Sequence, residues 1–542
     1  MSVFNRSKKK RIETSVHNLS HNFAGTFYPG YLYPVLCTKV VPGDTFQIAS
    51  SPFLRSQPFV SPLMSNVFCD IRYFYCRDLL LWENFDKFIT NAEKYGVGYL
   101  QPGYAPIHPY LNFGGDMFPS VDPYSYKAFF DNLYGAVDLV EDGIAFDKLD
   151  ALPARMYNLI FNEYYMNENY SKPATIFHGD YSDAEGLDSN VFSHYHLLKG
   201  CYRKDYFTSM LPSPQRGPAV SLSADVSGRT RTIVDQFGNP LKYGQSEQSF
   251  YIGGFPNGDG RGNTTLGATL DPSTNVNTPG YIDYDGLNIE ININDIRKAS
   301  AIQRFLEASA VNGNRYAEFM LSHFGVRTPD NSSFRPQYLG GGSQVINYSP
   351  VEQNSQTDNT PQGTLAGKGV MTGLMGMNHR YFFTEYGWIM GIMVIRPQAY
   401  YAGGVNRQFW CDQDRFENYY FPGLQNIGMQ SVKARELTVQ NRPELNVDDI
   451  GYQDRYMEYK NIPSSVHGEL LNTMRSWVAI RDFTFNNIQG VPGIGQEFME
   501  VQPDVFDENT AVNRFPPFIV DIRHDILARR PMQYHAKYGG AV

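Results

Sequence analysis

Short apolar bursts alternate with turn chemistry along this chain, and the period of each burst indicates the element it forms. LNIEINI at 287–293 sets Leu287, Ile289, Ile291 and Ile293 against polar neighbours. This is the cleanest period-two signal in the sequence and predicts a strand at which the core resumes. Directly after it, Ile296, Ala299, Ile302, Phe305 and Leu306 share one helical face, with Asn294 or Asp295 as the cap and Asn312-Gly313 as the stop. VLCTKVVPGDTFQI (35–48) reads as two strands around Pro42-Gly43-Asp44, where Pro presets φ and Gly supplies a positive one. VFCDIRYFYC (67–76) alternates loosely and predicts a half-buried strand.

Two helical patches precede the middle of the chain. LLLWENFDKFI (79–89) places Leu81, Phe85, Phe88 and Ile89 at helical spacing, and a second patch covers about 145–168. The longest apolar run, YGWIMGIMVI (386–395), is about half of the roughly 20 residues a membrane helix needs, so it reads as a core strand. The three prolines of SMLPSPQRGPAV (209–220) mark a break. Residues 228–286 are then dominated by Gly, Asn, Thr, Ser and Pro and read as a long excursion from the core. No repeat of fixed period appears, which argues against a propeller or solenoid.

Composition sharpens the fold class. With 38 Tyr, 37 Phe, 48 Gly and 33 Pro against only 19% charged residues, the chain suits short strands, many turns and loops pinned by rings. A helical bundle would carry more Ala, Leu, Glu and Lys. At 542 residues it has room for several domains or for one large β domain with long excursions. Residues 1–20 lack an apolar signal core, and the five cysteines are an odd, sparse set, so the expectation is a protein made in a reducing cytosol with buried or incidental thiols.

Charge adds one feature. The net charge is −9, yet residues 6–11 read RSKKKR, which places Arg6, Lys8, Lys9, Lys10 and Arg11 at the head of an acidic chain. A polyanion is the partner such a run suits, and a solvated tail is the plainer alternative.

Enzyme motifs fail one at a time. GTLAGKG (363–369) has three residues, not four, before its Gly-Lys pair, and no Ser or Thr after it, so it reads as a turn rather than a phosphate loop. YIDYDG (281–286) lacks the acidic spacing and distal Glu of a calcium loop. His194 and His196 would share a face on a strand, but no third ligand stands at a persuasive spacing. The glycines of GGGSQVIN (340–347) suit release of the chain into a strand, or close approach of backbone to a phosphate. Gly-x-Ser-x-Gly and His-Glu-x-x-His are missing. The expectation is a non-enzyme with no catalytic residues, no metal ligands and no cofactor. The rival reading is a carbohydrate-active or lectin-like β protein.

Longer phrases carry more information. SVHNLSHNF and VVPGDTF near the start, IRKASAIQRFLEASAVNGNRYAEFMLSHFGVRTPD (296–330) and RPQYLGGGSQVIN (335–347) in the middle, and GYQDRYMEYK (451–460) and PPFIVDIRHDILARRPM (516–532) towards the end resemble the major capsid protein of microviruses, in the gokushovirus branch. The resemblance spans most of the chain. It implies an all-β dominated fold, an eight-stranded antiparallel jelly roll with long loop insertions and a few short helices. It also implies many copies closing into a small icosahedral shell around circular single-stranded DNA, assembled in the bacterial host cytoplasm.

The expected organisation is a basic flexible N-terminal arm at 1–22, the first part of the jelly roll at 23–227, the insertion at 228–286, the remainder of the barrel at 287–524 and a C-terminal arm at 525–542. In this setting the five cations of the arm would contact interior phosphates without sequence preference. The insertion would form a protrusion at the threefold axes, with Asn257, Asp259, Arg261 and Asn263 as candidate host-contact residues. The partners implied are identical subunits, the packaged DNA, a small basic DNA-binding virion protein, scaffolding and pilot proteins and a host surface receptor, without membrane insertion.

Overall fold

The computed structural model describes residues 12–90, 106–111, 123–135, 149–180, 194–218, 220, 225–227, 233–234, 254–256, 264–269, 277–279, 281–282, 288–290, 293–311, 315–326, 334–356, 361–411, 414–439, 445–483, 494–512 and 514–535. The chain divides into two compact units, with the boundaries at Pro214/Gln215 and Ala308/Ser309.

The larger unit is built on one antiparallel sheet of eleven strands: β1 (Ser15–Asn18), β2 (His21–Phe27), β3 (Tyr33–Val40), β4 (Thr45–Ser56), β5 (Val67–Arg77), β6 (Gln337–Glu352), β7 (Leu365–Thr372), β8 (Met375–Gly376), β9 (Tyr381–Phe382), β10 (Gly387–Pro397) and β11 (Phe518–Arg530). The continuous path runs β1-β11-β4-β7-β6-β5-β10-β3, so eight strands make the path, while β2 flanks β11 and the short β8 and β9 flank β4. One strand links the two halves. The first part of β6 pairs with β5 through Ile346, and its last six residues, from Asn347, pair with β7. The sheet curls across this strand into a jelly-roll-like half-barrel whose inner face is lined by Phe27, Phe46, Leu54, Ile71, Met393 and Ile522, all buried.

Glycine at the start of β6 has a steric reason. A Cβ on Gly341 would stand 2.3 Å from the carbonyl oxygen of Ile71 on β5, and Gly340 has a φ of +130° beside the Asn378 amide. Both follow a bulge between Tyr338 and Gly340. A Cβ on Gly342 would stand 2.8 Å from Met375 Cγ, so all three glycines lie inside the strand where neighbouring atoms leave no room for a side chain.

A polar chain crosses the apolar interior. The Tyr73 hydroxyl donates to Ser50 Oγ, Ser50 Oγ lies 2.6 Å from His524 Nδ1, and His524 Nε2 lies 3.1 Å from the Val35 carbonyl oxygen. A carbonyl only accepts, so Nε2 carries the proton, and Nδ1 accepts from Ser50. Burial, then the neighbouring His21, pushes the fully buried His524 imidazole down to about 4.

Several expectations change. The strand over 67–76 is central rather than half-buried, because β6 and β10 flank it and the Tyr164 and Tyr165 rings lie 4.8 and 6.1 Å from Phe74. The helix expected over 79–89 is two short ones, Asp78–Leu81 and Phe85–Thr90. Trp82 breaks it: the residue is extended, fully buried, and donates its indole N–H to Asp180. Much of the 12–22 segment, read as arm, is strand, since β1 and β2 pair with β11 and polar side chains suit a ribbon that is wet on one face. The C-terminal boundary set at 525 likewise falls inside β11.

The second unit, Gln215–Ala308, is wider than the 228–286 excursion and carries strands of its own. Gly254–Pro256, Thr264–Thr269 and Asn277–Pro279 form a three-stranded sheet, and Ile233–Val234 pairs with Tyr281–Ile282. Within the LNIEINI signal, Asn288–Glu290 form a strand paired with Asp225–Ser227 in this unit rather than with the barrel. Alternation marks a strand but does not say which sheet receives it. The helix after it runs Ile293–Val311, close to the expected span, but Ile296, Ile302 and Phe305 of its apolar face are exposed.

Candidate functional site

Strand β5 places Asp70 and Arg72 on one face, two residues apart. Ser343 of β6 stands opposite Asp70, and Arg396 of β10 stands opposite Phe68, diagonal to it. These cross-strand positions, with Arg203 from outside the sheet, gather an ionic knot around the buried Asp70. Arg396 Nη2 donates to one oxygen of Asp70, and Arg203 Nη2 donates to the other at 3.0 Å and to Ser343 Oγ at 2.5 Å. The Arg203 guanidinium also lies 3.5 Å from the centre of the Phe68 ring. Burial alone would raise the Asp70 carboxyl, but Arg396, Ser343 and Arg203 hold it below its ordinary value.

The knot forms one wall of a cleft of about 1030 Å³. Arg315, which precedes the helix Tyr316–Phe324, sits on another wall. Its Nη1 donates to Glu168 at 2.5 Å and lies 3.4 Å from Glu318, and its Nε is 3.8 Å from Glu163. Burial raises the carboxyls of Glu163 and Glu318, and the neighbouring Glu168 adds to both shifts. The cleft is therefore polarised, cationic around Arg72, Arg203, Lys204 and Arg396 and anionic around Glu168 and Glu318.

A second surface is apolar and aromatic. Residues 409–462 expose Phe409, Tyr419, Ile427, Tyr459 and Ile462. Tyr420 packs edge-on against Tyr456 at 4.9 Å and Phe416 against Phe421 at 5.4 Å, with the Arg415 guanidinium 4.7 Å from the Phe416 ring. Glu417 ties the ridge together by pairing with Arg407 at 2.8 Å and with Arg455 at 2.9 Å. Rings and guanidinium groups of this kind are the anchors of protein interfaces.

Arg6, Lys8, Lys9, Lys10 and Arg11 fall outside the described residues, as do Asn257, Asp259, Arg261 and Asn263. His194 and His196 are not on a strand; His194 stands edge-on to Phe177 and His196 lies against Tyr126. Among the described residues no three His, Cys, Asp or Glu side chains are grouped to hold a metal ion, and no helix is long and apolar enough to cross a membrane. Gly363, with a φ of +86°, turns the chain into β7, so GTLAGKG is turn and strand.

Sequence reasoning did not find the cleft. Asp70 meets partners 133 and 326 residues away, which no local pattern reveals. The signal available was a lone acid inside the aromatic run VFCDIRYFYC and an Arg closing the apolar run before Pro397. Three of the phrases that carried the resemblance supply lining residues: Arg315 and Glu318 from one, Tyr338 and Gly341 to Ser343 from another, Gln453 and Met457 from the third.

Comparison with known proteins agrees with the resemblance. A family model described as capsid protein (F protein) matches residues 6–538. Capsid protein VP1 of Chlamydia phage 1 is 29% identical, over 97% of this chain and 96% of its own length. Capsid protein VP1 of Bdellovibrio phage phiMH2K is 28% identical, over 96% of this chain and 94% of its own. That of Spiroplasma virus 4 is 28% identical, over 99% and 97%.

Proposed function

Because the chain belongs to the capsid protein (F protein) family, with a match over residues 6–538, we propose that its copies close into a small icosahedral shell around circular single-stranded DNA. It is a major capsid protein and a structural component of the virion. The observation that supports closure is apolar surface left in solvent: Phe409, Ile462, Leu374, Ile427 and Phe382 are each at least 65% exposed. Isolated soluble proteins rarely keep large contiguous apolar patches, and identical neighbours related by closed symmetry cover such patches in every copy at once.

Within that shell, Arg6, Lys8, Lys9, Lys10 and Arg11 contact interior phosphates, and the segment 228–286, with Asn257, Asp259, Arg261 and Asn263, faces the host receptor. The small basic virion protein shares the DNA-facing task, and scaffolding and pilot proteins act during assembly in the host cytoplasm.

Electron microscopy of the purified protein tests closure: uniform icosahedral particles are expected, and a stable monomer overturns the reading. Replacing the five cations of the arm by Gln tests the DNA contact. Empty shells should still form while filled particles lose DNA at lower salt, with a shallower dependence on ionic strength. Unchanged DNA retention overturns the role of the arm without touching the shell.

A further inference from the structure

The polarised cleft has two hydrogen-bonding groups that the protein leaves unused. Tyr165 Oη and Arg396 Nε are both buried, both belong to residues lining the cleft, and neither has a hydrogen-bond partner. Tyr165 is only 8% exposed, and its phenol is pushed up first by burial and then adjusted by Arg72, Arg396 and Asp70, which places it at the cationic end. Buried polar groups are nearly always paired, so two at one spot point to a missing acceptor.

The charge at that end fits an anion. Asp70 is the one acid of the knot, and Arg203, Arg396 and Ser343 consume its oxygens. Arg72 and Lys204 line the cleft as further cations, with Asp454 as a further acid. Guanidinium forks and a phenol O–H call for a ligand rich in acceptor oxygens, and a phosphate group offers more of them than a carboxylate. Glu168 and Glu318 also line the cleft, where they present acceptors and repel a second anion. The organic part of the ligand must therefore bring hydrogen-bond donors. Tyr338 and Tyr452 line the same cleft, and about 1030 Å³ exceeds what one inorganic ion needs.

The geometry points to a nucleotide-binding site in this cleft, with the phosphate on Tyr165, Arg396, Arg72 and Arg203 and the base and sugar donors facing Glu168 and Glu318. The ligand is a nucleoside phosphate, free or as one unit of a single strand. This goes beyond the shell and does not rest on it.

Isothermal titration of the full-length protein with inorganic phosphate, a deoxynucleoside monophosphate and a short single-stranded oligodeoxynucleotide tests the assignment. Saturable binding of the monophosphate is expected, tighter than inorganic phosphate. Tyr165→Phe should weaken it about tenfold, the worth of one hydrogen bond to a charged group. The unfolding midpoint should hold, because the hydroxyl has no partner to lose. Arg203→Gln should weaken binding at least as much. If the oligonucleotide shows the same sensitivity to Tyr165→Phe, the site takes a strand unit; if only the monophosphate does, it takes the free nucleotide. Lack of saturation by any of the three probes up to about 10 mM, or binding undiminished in both variants, overturns the assignment.

Discussion

Acidification should strike the barrel at His524. In the folded chain this imidazole is fully buried and neutral, donating from Nε2 to Val35 and accepting at Nδ1 from Ser50, which in turn accepts from Tyr73. A proton on Nδ1 would set two donors against each other inside the core, with every neighbouring hydroxyl already committed. The folded imidazole therefore resists protonation down to about 4, whereas in the unfolded chain it ionises at its ordinary 6.5. Between those values the unfolded state binds one more proton, so stability is whole above about pH 6.5 and falls as pH drops towards 4. At ~1.36 kcal/mol per pH unit, the gap amounts to ~3 kcal/mol, a large share of a typical domain's 5–15 kcal/mol. Urea unfolding of wild type and His524→Gln at a series of pH values isolates this contribution, because glutamine does not titrate and all other groups are shared. The wild type should lose ~3 kcal/mol more than the variant over that window. Parallel pH profiles would refute the buried, neutral imidazole.

Asp78 should behave in the opposite sense. Burial, opposed by Lys39 and reinforced by Asp150, raises its carboxyl to about 7, so the folded state favours the protonated acid and loses stability as pH rises from about 4 through 7. Asp78→Asn should raise the unfolding midpoint at pH 8 and leave it unchanged near pH 4. Gly341→Ala drives a methyl into the Ile71 carbonyl and should cost ~1–3 kcal/mol or more. Gly423→Ala, which meets nothing within 4 Å, should stay within ~0.5 kcal/mol of wild type by thermal melting. Of the five thiols, the exposed Cys411 should react rapidly with a thiol reagent in the native protein. Burial raises the thiols of Cys37, Cys69, Cys76 and Cys201, which should react only on unfolding.

Local patterns carried the fold class and many elements. The apolar run ending at Ile395 is a buried strand, β10, and the face from Ile296 to Leu306 is a helix. Aromatics and turn residues pointed to a β architecture because those preferences act within a few residues. Pairing was hidden. Residues 35–48 look like a hairpin, yet β3 pairs with β10 and β4 with β11 and β7, so the Pro-Gly-Asp turn carries the chain from the end of the path at β3 to β4 in its other half. The cleft was hidden for the same reason: Asp70, Arg203 and Arg396 belong to three distant segments, and burial of a charge shows only once its counter-ions are in place. The break at Trp82 was concealed because its leucine and phenylalanine neighbours keep helical spacing, while the force that ends the helix comes from Asp180.

The position of β11 in the chain has a consequence for biosynthesis. Its residues 518–530 pair with 45–56 on one side and with 15–27 on the other, so segments made early wait for one made much later. Contacts of such long range close slowly. The nascent polypeptide must emerge with β4 lacking its neighbour, an open edge that invites mispairing with other growing chains. Synthesis of residues 518–530, rather than of residues 15–56, therefore starts the clock for completing this part of the sheet, and translation that stops short of Phe518 should yield aggregates rather than shortened but soluble subunits.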